Sequence, residues 1–221
     1  MATEASLQAL SHLRDLTMVK WYIIPLFAIV LYIYAIEIKK AQKTDNWNTV
    51  FAGLALFGMD LINEVWNSLI FHFTQHSAFW TTPGDTAFLI MIGWNIEIAF
   101  MFSIAGIVFA NFLPEDKNAK IDLRYIKIPN RWFHAVFFSA FCVFVEVLLN
   151  AGGALVWEYP FWNANIIGII PIFFLGYFHF FVVAFWVHDM EKIENKLKTI
   201  GVIYGIGVTA VIIFMGILGW I

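Results

Sequence analysis

The sequence predicts an all-α fold: a polytopic integral-membrane helical bundle of about six transmembrane helices, with a short N-terminal interfacial helix. Three observations predict it. Of 221 residues, 61% are apolar and only 13% are charged, where soluble domains average about 45–50% and about 25%. The mean hydropathy is +0.77. Apolar runs long enough to cross about 30 Å of hydrocarbon recur along the whole chain. With so little polar surface, lipid must be the solvent of most side chains. The domain reading follows: residues 1–19 form an extracytoplasmic interfacial segment and 20–221 a single transmembrane domain.

The N-terminal stretch "MATEASLQALSHLRDLTMVK" lacks the continuous apolar core of a signal peptide. Leu7, Leu10, Leu13 and Leu16 recur every third residue and predict an amphipathic helix lying on the membrane surface. The spans follow at 20–38, 49–74, 86–112, 131–151, 164–187 and 199–220. Pro25 and Pro171 fall inside the first and fifth, where neighbouring helices can absorb a kink. Gly201 and Gly205 make a GxxxG in the sixth, the pattern of a close helix contact. The single cysteine, Cys142, excludes an intrachain disulfide and a thiolate metal cluster. The net charge of −3, with no basic stripe, excludes a nucleic-acid partner.

Charge asymmetry sets the orientation. Eleven of the 13 Lys and Arg residues fall in or beside the loops at 39–48, 113–131 and 188–198. The positive-inside rule puts those loops in the cytoplasm and both termini on the non-cytoplasmic side. The opposite loops, 75–85 and 152–163, have no Lys or Arg and carry Trp80, Trp157, Tyr159 and Trp162. They read either as an interfacial aromatic belt or as a lid over a site.

Within the spans the chain places polar groups that are costly in hydrocarbon and functional by default. "GMDLINEVWN" holds Asp60, Glu64 and Asn67, "GWNIEI" holds Asn95 and Glu97, and "VFVEVLLN" holds Glu146 and Asn150. Laid across the bilayer at about 1.5 Å per residue, Glu64 and Glu97 reach similar depths in the outer half. Glu146 lies about a turn and a half nearer the surface and Asp60 nearer mid-membrane. His72 and His76 continue the Glu64 face toward the outer mouth, four residues per step, and Glu158 can hang over them from its loop. No Lys or Arg shares this depth, so ion pairing cannot explain the acids. They are protonated, they hold a cation, or they line a water-filled path.

Each solution implies a chemistry. A neutral carboxylic acid beside a carboxylate can donate and remove protons. Glu64, Glu97, Glu146 and Asp60 are then the catalytic candidates. Asn67, Asn95, Asn150, Trp66, Trp94, Trp157 and Glu158 are the substrate-binding candidates, for a hydrophobic small molecule dissolved in membrane lipid. The His72-x3-His76 pair, with Glu64 or Glu158 as third ligand, can bind a divalent metal, which is the only cofactor implied. Haem is excluded because His72 and His179 lie at different depths. A proton- or cation-coupled transporter is the remaining alternative, and the oligomeric state is open.

Three stretches also resemble the fungal-type integral-membrane meroterpenoid (terpene) cyclases: "NEVWNSLIF", "FLIMIGWNIEI" and "FWVHDMEK". The resemblance covers about 60 residues and implies a terpenoid or lipid cyclase, hydratase or isomerase in which Glu64 protonates an epoxide or alkene. That family has seven helices against six here. Its second acid in a late helix is matched here only by Phe178 or His179.

Overall fold

A computed structural model describes all residues 1–221. Seven helices account for most of the chain: α1 (Glu4–His12), α2 (Ile23–Thr44), α3 (Asn48–Thr74), α4 (Ile96–Ala110), α5 (Asn130–Ala151), α6 (Ile166–Asp189) and α7 (Ile193–Ile217). Helices α3, α5, α6 and α7 are each long and apolar enough to cross a membrane, and α4 is apolar but shorter. Two small antiparallel ribbons complete the fold, β1 (Leu89–Met91) with β2 (Trp94–Asn95), and β3 (Lys120–Asp122) with β4 (Lys127–Pro129). The protein is thus an all-α membrane bundle; the six predicted spans fall on α2 through α7, and four of these helices meet the length and apolarity needed to cross.

Helix α3 is the central post. Its buried residues run from Val50 to Ser68 on every side of the helix, and it packs on α2, α4, α6 and α7. This explains how it can carry two acids and two asparagines in mid-course: protein, not lipid, surrounds them. The apolar core joins Phe51 and Leu56 of α3 to Phe102 of α4, Phe138 of α5, Phe180, Phe181 and Phe185 of α6, and Ile203 of α7. Phenylalanine ring pairs tie it together, such as Phe109–Phe138 at 4.5 Å and Phe109–Phe181 at 5.2 Å between centroids. At the basic end, Arg131 grips Asp189 with two hydrogen bonds, Nε to Oδ2 at 2.7 Å and Nη2 to Oδ1 at 2.9 Å. Lys196 donates to the last carbonyls of α6, Val187 O and His188 O.

The third span departs from expectation. It does not run as a helix over 86–112 but starts at Ile96. At 15 residues, α4 is about 22 Å long, too short to cross the hydrocarbon alone. Residues 75–95 instead fold over the top of the bundle. There Thr81 and Val156 exchange backbone hydrogen bonds at 3.0 and 2.8 Å, joining the two long loops. Ala78, Leu89, Ile92 and Ala9 of α1 pack as one small core. The loops foreseen as belt or lid therefore form a packed cap.

The N-terminal segment belongs to that cap. Thr3 N–H donates to His76 O at 3.0 Å and Arg14 N–H to Leu89 O at 2.9 Å. Helix α1 buries Ser6 and Ala9 against the cap and leaves Leu7 and Leu10 of the leucine stripe exposed. Arg14 also donates to the carbonyl of Ile221 at 3.2 Å, so both termini meet at the cap end.

A second correction concerns the glycines. Gly201 and Gly205 face open space, with nothing near where a Cβ would stand. The close approach of α7 to α3 uses Gly58 and Gly207 instead. At the α3–α4 crossing, a Cβ on Gly106 would stand 2.8 Å from both the Ala52 carbonyl oxygen and the Gly53 Cα. These are backbone atoms that cannot swing aside. Gly106→Val is expected to cost about 1–3 kcal/mol through overpacking, while Gly201→Val leaves stability nearly unchanged. Thermal unfolding of the two variants in detergent, followed by tryptophan fluorescence, measures the difference.

Candidate functional site

Asp60, Glu64 and Asn67 fall at i, i+4 and i+7, one face of α3, and all three are buried. Asn67 organises the cap above them. Its Oδ1 accepts from Phe79 N–H at 2.8 Å and Trp80 N–H at 3.3 Å, and its Nδ2 donates to Trp80 O at 2.8 Å. A side chain at Gly93 would run into both Asn67 and Trp80, so the turn between β1 and β2 needs glycine for this close approach. Held this way, Trp80 donates its indole N–H to Glu64 Oε1 at 2.9 Å.

The same pairing recurs at two more acids. Trp94, on β2, donates its indole N–H to Asp60 Oδ2 at 3.0 Å. Trp157, on the second long loop, donates to Glu146 Oε1 at 2.9 Å. Tyr177 adds its hydroxyl to Glu146 Oε2. Tyr177 reaches it from the stretch Ile172–Phe178, where α6 is π-helical directly after Pro171. Single π-turns of this kind often mark functional positions in helices.

Asp60, Asn63, Glu64, Glu146 and Tyr177 line a common chamber with Phe102 among its walls, and its volume is about 40 Å³. That is room for ordered water but not for a substrate. No Lys or Arg lines it. Glu64 Oε2 is buried and has no hydrogen-bond partner, in contrast to Glu64 Oε1 and both Glu146 oxygens. The chamber adjoins an apolar cleft of about 230 Å³ between α4 and α5, which shares Met101, Phe102, Glu146, Leu149 and Tyr177 with it.

Three of the four acids singled out from the sequence therefore converge, and Glu97 does not. Because α4 begins only at Ile96, Glu97 sits in its first turn at the cap. There it accepts from Tyr22 Oη (2.6 Å), Thr86 Oγ1 (2.6 Å) and Ala87 N–H (2.8 Å). Asn95 caps the N-terminus of α4 through Ile98 N–H at 2.8 Å, and Asn150 donates to Leu155 O at 3.0 Å. Trp66 packs edge-on against Phe79, 5.0 Å between centroids, outside the chamber. Glu158 accepts from Thr3 Oγ1 at 2.5 Å and Ser77 Oγ at 2.7 Å, which ties down the N-terminus.

The histidine pair finds no third ligand. His72 stacks on Trp220 at 4.6 Å, and His76 Nδ1 lies 3.3 Å from Met1 O. No three His, Cys, Asp or Glu side chains converge in metal-binding geometry. Four lining residues with hydrogen-bonding side chains were not among the site candidates: Asn63, Trp80, Trp162 and Tyr177. Trp80 and Trp162 look like interfacial belt residues; Trp80 pairs with Glu64, whereas the buried Trp162 indole N–H has no partner. Tyr177 neighbours the Phe178–His179 pair singled out from the sequence, and the π-turn sets which of these side chains meets Glu146.

Fold and site together define a multi-pass helical membrane protein with a buried carboxyl chamber that no Lys or Arg lines. The chain belongs to an uncharacterized membrane protein family, whose model matches residues 3–216. An uncharacterized protein of Archaeoglobus fulgidus is 48% identical over 221 residues, all of both chains. A second from the same organism is 44% identical over 52 residues, 24% of this chain and 93% of its own. No solved structure matches. This membership overturns the resemblance to meroterpenoid cyclases. The structure gives the physical reason at one of the three stretches: "FLIMIGWNIEI" forms the β1–β2 ribbon and a helix start, not a transmembrane helix.

The clamp makes two expectations. Asn67→Leu leaves the buried Phe79 and Trp80 backbone groups without their partner and is expected to cost about 1–3 kcal/mol, with faster proteolysis across 75–95. Trp80→Phe keeps the ring but removes the Glu64 donor. It is expected to lower the unfolding temperature in detergent, and Glu64→Gln should not rescue it because an amide oxygen needs the same donor.

Proposed function

We propose that this protein is a membrane enzyme that uses the chamber for acid–base chemistry on a small hydrophobic molecule reaching it from the lipid phase. In this reading Glu64 carries the working proton, and Asp60 and Glu146 are the acceptors that set and refill it. The observation that carries the reading is the unpartnered, buried Oε2 of Glu64, a residue lining a chamber that holds three acids and no Lys or Arg. A carboxylate there would keep one oxygen bare in a place where each unmet charge–solvent contact is costly. A carboxylic acid takes the Trp80 hydrogen bond on its carbonyl oxygen and has its O–H free to give to a reacting group.

Access favours chemistry over transport. A solute carrier needs entry from both aqueous faces in turn. Here Trp80, Leu155 and Trp162 close the cap end, and Leu56, Phe180 and Phe181 pack beneath. The lining residues that reach the outside, Met101 at 44% and Leu149 at 38% exposure, face the membrane. The positive-inside rule, applied to the basic loops, supports reading the capped end as non-cytoplasmic, with the chamber in the outer half of the bilayer.

Infrared spectroscopy of protein with isotope-labelled Glu tests the proton. A protonated-acid carbonyl band at neutral pH, sensitive to D2O, is expected in the native protein and in Glu97→Gln. It should disappear in Glu64→Gln. Only carboxylate bands in the native protein would overturn the reading. Catalysis is read separately, by incubating a lipid extract of Archaeoglobus fulgidus with the protein in D2O. Carbon-bound deuterium should enter a neutral lipid with native protein and not with Glu64→Gln.

A further inference from the structure

We infer that the cleft between α4 and α5 is a lateral portal and binding site for a neutral, single-chain lipid ending in a hydroxyl group, such as a long-chain alcohol. The inference rests on the proposed use of the chamber and names the class of molecule it serves. The two helices touch near the basic end, where Phe109 stacks against Phe138 at 4.5 Å. Above that contact they part around the cleft of about 230 Å³, with Val108, Met101, Phe141 and Leu149 exposed at its mouth. Twelve of its 14 lining residues are apolar, and the exceptions, Glu146 and the Tyr177 hydroxyl, are both shared with the chamber.

Size, charge and hydrogen-bonding capacity then select the occupant. Ligand sites for drug-sized molecules run from about 300 to 1,000 Å³, so this cleft suits one chain better than a two-chain lipid. A phosphate or carboxylate head would face three acids and no Lys or Arg. An ammonium head would have to shed its water along apolar walls before meeting any acid. A hydroxyl crosses those walls at far lower cost. At the inner end three indoles and the Tyr177 phenol are committed to Glu64, Asp60 and Glu146, and only the Trp162 indole N–H lacks a partner, so a group that both donates and accepts is what the chamber can satisfy. A hydroxyl donates to Glu146 or Tyr177, and it accepts from a protonated Glu64. Ordinary cleft-filling by bulk lipid would need none of this polarity at its closed end.

Photolabelling of the full-length protein in nanodiscs tests the site. The probe is a long-chain primary alcohol with a diazirine in its chain, and peptides are mapped by mass spectrometry. Saturable labelling of the stretches Met101–Phe109 and Phe141–Leu149 is expected, displaced by unlabelled alcohol. Ala105→Trp, which fills the cleft from α4, should abolish saturable labelling there, and Val145→Trp does the same from α5 should the first variant fail to fold. Tyr177→Phe removes one head contact and should raise the half-saturating concentration about tenfold. Labelling spread evenly over all lipid-facing helices, or unchanged in both tryptophan variants, would overturn the portal. Equal or tighter labelling by the matching carboxylate or trimethylammonium probe would overturn the headgroup assignment. The infrared test of Glu64 needs no ligand, so the portal and the proton can fail separately.

Discussion

Three carboxyl groups are buried beside one another with no cation among the residues that line their chamber, and each is held by the N–H of a tryptophan. The rest of the architecture answers to that constraint. An acid in a protein interior must either find donors or carry a proton. Indole is a suitable donor here because it brings one N–H and a large apolar body, so it satisfies the acid without adding a second charge. None of the three indoles lies on a long membrane helix. Trp80, Trp94 and Trp157 come from the loops and the ribbon at the cap end, so the acids stay satisfied only while the cap is folded onto the bundle.

The cap in turn depends on how non-helical chain survives at the edge of the membrane. Backbone groups outside helices are tolerated there only when protein surrounds them. Residues 75–95 meet that demand through Asn67, through the Thr81–Val156 pairing, and through α1, whose small face of Ser6 and Ala9 lets the chain lie close. The shortness of α4 is the other half of the same solution. A full-length third helix would have occupied the space the cap fills, and Trp94 could not have reached Asp60.

The bundle was legible in the sequence because apolar runs and their length follow directly from the solvent. The clustering of Asp60, Glu64 and Glu146 was legible too, since depth can be counted along a helix once direction is known. Glu97 was misplaced for the same reason. The count assumed a helix through 86–95, where the apolar residues Leu89, Met91 and Ile92 serve a buried ribbon. Hydropathy cannot tell a buried ribbon from a span. In α1 the leucine spacing marked a face for the membrane surface, but it carried no sign that the small residues Ser6 and Ala9 pack against the cap. The role of Tyr177 was hidden because a π-turn breaks the 3.6-residue period on which facing residues are counted.

The spacing between acids and donors along the chain also bears on how such a protein can be made. Trp157 lies 11 residues from Glu146, Trp80 lies 16 from Glu64 and Trp94 lies 34 from Asp60. Each acid therefore has its donor on the next stretch of chain to emerge, with at most one loop to close, and loop closure over such lengths is cheap. During synthesis, α3 and the cap segment can satisfy Asp60 and Glu64 before α5 exists. Glu146 then needs only the loop that follows its own helix. A membrane protein burdened with buried acids can in this way be inserted piece by piece, each polar group meeting its partner soon after it enters the bilayer.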